Sequence, residues 1–115
     1  MTENHESTYR LCQVDDIQEG TSKGFTLPDK KSVFAVKRDG EIFIYQNSCP
    51  HLGVELEWLE DQFLDNEGVL IQCSTHGALF VIETGDCVSG PCVGKALQPV
   101  PFHIKEGTIF ITILV

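Results

Sequence analysis

Ser32-Val33-Phe34-Ala35-Val36-Lys37 and Glu41-Ile42-Phe43-Ile44-Tyr45 stand on either side of Arg38-Asp39-Gly40. β-Branched and aromatic residues dominate both runs, and a short Asp-Gly connection between such runs predicts a β-hairpin. Side chains alternate along a strand, so Ile42 and Ile44 share one face while Glu41, Phe43 and Tyr45 share the other. The second run leads directly into Cys49-Pro50-His51-Leu52-Gly53. A strand end is a rigid support, which places a thiol and an imidazole on a fixed platform.

Outward from this hairpin the chain remains strand-like. Tyr9-Arg10-Leu11-Cys12 predicts a short first strand, residues 1–7 carry no pattern and are expected to fray, and Gly20 to Gly24 predicts a loop. Phe25-Thr26-Leu27 leads to a turn signal at Pro28-Asp29. Downstream, Val69-Leu70-Ile71-Gln72 feeds Cys73-Ser74-Thr75-His76-Gly77-Ala78, and Leu79-Phe80-Val81-Ile82 leaves it. Thr84-Gly85-Asp86 turns the chain into Cys87-Val88, and Ser89-Gly90-Pro91 interrupts it again. Phe102 to Lys105 and Thr108 to Ile113 predict a closing hairpin around Glu106-Gly107. Residues 54–68 are ambiguous: Leu56, Leu59 and Phe63 make a helical stripe, whereas Leu56 and Trp58 alternate as in a strand. Gly53 and the lack of a capping residue favour an extended, loop-like insertion. Many short strands and no convincing helix predict an all-β fold, a sandwich or partly open barrel.

Cys49, His51, Cys73 and His76 form two thiol–imidazole boxes. Thiolate and imidazole together suit a four-ligand soft-metal site, either zinc or an iron–sulfur centre. His5 and His103 lie outside both boxes and are expected on the surface or on a strand. Cys12, Cys87 and Cys92 bring the cysteines to five, an odd number that argues against a disulfide framework. Reduced, half-buried thiols are the expectation for these three, with a Cys87–Cys92 disulfide as the alternative.

The two boxes resemble the Cys-X-His and Cys-X-X-His pair of Rieske proteins. The residues between them, 52–72, are slightly more numerous than is usual in the family, which implies an insertion. The His76-Gly77 step, the Thr84-Gly85-Asp86 turn and Gly90-Pro91 extend the resemblance over about residues 31–115. It implies a Rieske-type arrangement of antiparallel sheets in one domain, residues 1–115, with a small cluster-binding lobe at about 47–92. It also implies a [2Fe–2S] cluster with Cys49 and Cys73 on one iron and His51 and His76 on the other. With two thiolates and two neutral imidazoles, reduction takes the cluster from neutral to singly negative. A four-thiolate cluster would go from doubly to triply negative, so the imidazoles raise the potential. High-potential relatives add a cysteine to each box, forming a disulfide clamp; Val54 and Thr75 or Ser74 stand at those positions here. They also place Ser and Tyr after the second His-Gly, where this chain has Ala78 and Phe80. Hydroxyl donors would stabilise the reduced cluster, so the expected potential is at the low end of the family range, roughly −150 mV. Leu52 and Gly90-Pro91 are expected to shield the cluster.

Composition narrows the function. With 42% hydrophobic and 22% charged residues the chain is ordinary for a globular protein. It has neither a signal-like start nor an apolar run long enough for a span, so the expectation is cytoplasmic, without membrane. Seventeen acidic residues against eight basic give a net charge of −9, which excludes nucleic acid as an expected partner. Glu55, Glu57, Glu60, Asp61, Asp65 and Glu67 form an acidic window that is either a solvated edge or a docking patch for a basic partner. No nucleophile elbow or phosphate-cradling loop occurs, and the chain is too short for an oxygenase's mononuclear iron domain. The resemblance therefore implies a monomeric one-electron carrier between a reductase and a terminal oxygenase or similar redox enzyme. Its alternatives are an accessory small subunit of a nitrite reductase-like complex and a structural zinc module.

Overall fold

A computed structural model of the chain describes residues 6–27, 31–48, 63–65, 67–73, 77–90 and 93–114. Within them lie nine strands: β1 (Glu6–Gln13), β2 (Ser22–Thr26), β3 (Ser32–Arg38), β4 (Glu41–Gln46), β5 (Leu70–Gln72), β6 (Leu79–Val81), β7 (Cys87–Ser89), β8 (Phe102–Lys105) and β9 (Thr108–Leu114). A 3₁₀ turn at Val14–Asp16 is the only helical element among the described residues. The strands form three antiparallel sheets, ordered β1-β9-β8, β2-β3-β4 and β5-β6-β7. The fold is all-β, as the many short strand-like runs predict.

The β2-β3-β4 sheet is the middle layer, and alternation along its strands divides the interior in two. Phe34 and Val36 of β3 and Tyr45 of β4 enter a first core with Phe63, Cys73 and Phe80. Val33 and Ala35, with Ile42 and Ile44, enter a second core with Ile109 and Ile111 of β9. Both faces of β3 and β4 are therefore covered, which is why their sequences run almost continuously apolar rather than alternating with charge. The β3–β4 turn has positive φ at both Asp39 (53°) and Gly40 (78°), the geometry that matches the right-handed twist of the flanking strands. The Glu19 carboxylate accepts hydrogen bonds from the backbone N–H groups of Asp39 (2.6 Å) and Gly40 (2.9 Å), fixing that turn from outside.

Three local expectations change. β1 reaches back to Glu6, with Glu6 and Ser7 opposite Leu114 and Ile113, because β9 supplies a ladder partner along its whole length. β2 begins at Ser22, within the predicted Gly20–Gly24 loop, since pairing of Lys23 with Ala35 and Gly24 with Phe34 overrides glycine's weak strand preference. β7 takes in Ser89, predicted as a breaker, opposite Leu79. The predicted turn at Pro28-Asp29 and most of the 54–68 segment lie outside the described residues. Its described end is extended: Leu64 bridges Ile71, and the Gln72 N–H donates to the Phe63 carbonyl at 2.9 Å. The Asp65 carboxylate accepts from the Val69 N–H at 3.0 Å, turning the chain into β5.

Candidate metal centre

Cys73 follows β5 directly, and its side chain is fully buried. Its backbone N–H donates to the Ala78 carbonyl at 2.9 Å, and the Gly77 N–H donates back to the Cys73 carbonyl at 2.8 Å. These bonds close a loop between β5 and β6, so the sulfur stands on backbone fixed by a ladder on both sides. A thiolate buried in apolar surroundings is unfavourable unless a cation offsets its charge, and a metal does so while holding the thiol deprotonated. A buried cysteine at the mouth of a tight loop thus fits a ligand to an iron–sulfur cluster. Cys49, His51 and His76 lie outside the described residues, as do Leu52, Pro91 and Cys92.

The approach to the first box is described as far as Ser48. Asn47, the buried polar residue of the described core, donates through its backbone N–H to the Ser32 carbonyl (2.9 Å) and through Nδ2 to Ser32 Oγ (3.3 Å). The segment leading to Cys49 is thereby tied to the first residue of β3. The backbone bond carries the β3–β4 register one residue beyond the Val33–Gln46 pair, so Asn47 is placed by the hairpin itself.

Ala78 and Phe80, which the family resemblance sets at positions where high-potential relatives carry Ser and Tyr, are fully buried in the first core and carry no hydroxyl. Gly90 presses against the same loop. A Cβ built on it would stand 2.8 Å from the Ala78 Cα, and its φ of 98° disfavours any other residue. Gly90→Ala is expected to cost about 2–3 kcal/mol from backbone strain plus displacement of Ala78, measured as a lowered denaturation midpoint. An unchanged midpoint would show that the two loops are not packed this way.

The Cys87 thiol donates to the Ser89 carbonyl at 3.3 Å, whereas the alternative pairing with Cys92 involves a residue that is not described. Cys12 is a buried thiol in the second core. Burial first, and the Asp16 carboxylate second, push its ionisation upwards, the reverse of what a ligand needs. His103 is exposed on β8 and stacks on Phe110 at 5.3 Å, as expected of a surface strand residue.

Tyr45 is a residue whose importance its sequence position does not reveal. Its hydroxyl donates to the Ile82 carbonyl at 2.7 Å inside the first core. Burial, with the Glu83 and Asp86 carboxylates adding to it, pushes its phenol up to about 12. The folded state therefore keeps a proton that the unfolded chain loses near its ordinary value of 10.0. Stability from this group is complete below that pH and is lost as pH rises from there to about 12. In alkaline denaturation series the Tyr45→Phe variant is expected to show a shallower decline over this interval; parallel curves would refute it.

Comparison with known proteins identifies the family. The family model described as the Rieske [2Fe-2S] domain matches residues 7–105. The ferredoxin component of the p-cumate 2,3-dioxygenase system of Pseudomonas putida is 32% identical over 103 residues, covering 90% of this chain and 83% of that protein. The ferredoxin component of the alkene monooxygenase system of Xanthobacter autotrophicus is also 32% identical, covering 88% and 77%. Among solved structures, the Sphingomonas yanoikuyae B1 ferredoxin superposes with a TM-score of 0.72 at 28% identity, over 91% of this chain and 97% of that one. The complex of reduced oxygenase and oxidised ferredoxin in carbazole 1,9a-dioxygenase gives 0.73 at 22% identity, over 90% and 91%, a likeness of fold. The chain belongs to the Rieske [2Fe–2S] domain family, and its cofactor is the Rieske-type [2Fe–2S] cluster.

Proposed function

We propose that the chain is a cytoplasmic, monomeric one-electron carrier, a Rieske ferredoxin that takes electrons from a reductase and passes them to a terminal oxygenase. Cys49 and Cys73 hold one iron, and His51 and His76 the other. The cluster, when bound, supplies a centre that accepts and releases single electrons. The observation that carries the reading is likeness along nearly the whole chain to ferredoxin components of oxygenase systems, 83% and 77% of whose length is matched. Among the described residues no helix is long and apolar enough to cross a membrane.

The chain's own contribution is to fix the cage and set its potential. The Cys73–Ala78 loop holds one thiol rigidly, and the apolar Ala78 and Phe80 provide no hydroxyl to favour the reduced state. The midpoint potential is expected near the low end of the family range, roughly −150 mV. Spectroscopically monitored titration tests this, and a value above about 0 mV would overturn the account of the Ala78 and Phe80 positions. The functional reading is tested by the purified protein itself. A reddish-brown colour and, after dithionite, the low average g of a Rieske centre are expected, together with a reductase complex that dissociates on dilution. Zinc in place of iron and acid-labile sulfide would refute it.

A further inference from the structure

We propose that Tyr45 is the positioning residue that ties the two halves of the cluster site together, its hydroxyl joining the strand that leads into Cys49 to the turn that follows the Cys73 loop. The inference rests on the assignment of ligands to both boxes.

β4 ends at Gln46, just before Cys49 in the chain, and the Cys73 loop continues through β6 to Ile82. Among the described residues, no strand of the middle sheet is paired with a strand of the β5-β6-β7 sheet. The backbone link between them is indirect and runs through residues 95–100. The Gln46 N–H donates to the Gln98 carbonyl and the Leu97 N–H to the Gly85 carbonyl, each at 2.9 Å. The Tyr45 side chain spans this strip directly. Its ring lies so close to the β6–β7 turn that a Cβ on Gly85 would stand 2.8 Å from Cε1, and its hydroxyl reaches Ile82 at 2.7 Å. The contact is buried, with Tyr45 only 3% exposed. Arg38 makes a second link, donating to the Val69 carbonyl at 2.8 Å and lying 3.5 Å from the Glu83 carboxylate. That link is at the surface, where such pairs contribute little.

A cluster bound by two loops leaves only when the loops part. A buried hydrogen bond between the elements carrying them opposes that separation, whereas an equal amount of stability elsewhere does not. The test compares cluster-loaded wild type, Tyr45→Phe and Ile109→Val, whose site lies in the second core. Iron release to a chelator is followed by bleaching, and denaturation midpoints are measured in parallel. Tyr45→Phe is expected to bleach about tenfold faster, because a buried carbonyl loses its donor. Ile109→Val should lower the midpoint but release iron at the wild-type rate. Release in proportion to lost stability in both variants, or a wild-type rate in Tyr45→Phe, would overturn the proposal. Wild-type protein that contains no iron and sulfide would instead overturn the ligand assignment, and the clamp with it.

Discussion

Cys73→Ser is expected to yield a folded but colourless protein with no Rieske signal after dithionite. Serine is nearly isosteric with cysteine, so the substitution changes chemistry more than packing. A thiol loses its proton readily beside a metal, and soft thiolate is the ligand such iron centres select. A serine hydroxyl remains protonated and is a poor substitute. The side chain is fully buried, so no surface group can be drawn in to replace it without opening the loop closed by Ala78. The control is Cys12→Ser, also buried but in the second core. Its hydroxyl has to be accommodated among apolar neighbours at a cost of about 1–3 kcal/mol, yet iron and sulfide content should match wild type. Full cluster content in Cys73→Ser would remove this residue from the ligand set, whereas loss of cluster in both variants would make the effect one of folding.

The sequence makes visible whatever is specified locally. The 32–45 and 102–113 hairpins follow from strand-forming runs around Asp39-Gly40 and Glu106-Gly107, and both occur as predicted. Cys73 is recognisable by residue type and by its spacing from His76. What is not legible depends on which surface comes to cover which. The near-continuous apolar run of β3 and β4 announces that both faces are enclosed, but nothing local says which segments enclose each. The end-to-end pairing of β1 with β9 joins the two ends of the described chain, a contact that no short window contains. The same holds for one of the site's supports: the Tyr45 hydroxyl acts on the Ile82 carbonyl, 37 positions away in the chain. Candidate ligands are announced by chemistry, whereas the residues that would aim them are set by tertiary packing.

Phe34→Ala is expected to give the largest loss of stability of any single truncation discussed, about 3–5 kcal/mol. Against the roughly 5–15 kcal/mol that holds a typical domain together, this brings the chain close to unfolding. The ring has no exposed surface, stacks on Phe63 with centroids 4.4 Å apart and planes 6° from parallel, and leans on Tyr45 at 5.9 Å. Its neighbour across the ladder on the β2 side is Gly24, which has no side chain to move into the void. Phe63 in turn precedes the segment paired with β5, so loss of the stack loosens the support behind Cys73. Val33→Ala is the matched comparison: the adjacent residue on the same strand, also buried, but facing the second core. Denaturant titrations should show a loss in both, larger for Phe34→Ala, while accelerated iron release should accompany Phe34→Ala alone. Equal acceleration in the two would mean that the middle sheet transmits packing defects from one face to the other, and that the two cores behave as one. A loss below about 1 kcal/mol in Phe34→Ala would mean that neighbouring side chains collapse into the space, contrary to the close-packed stack.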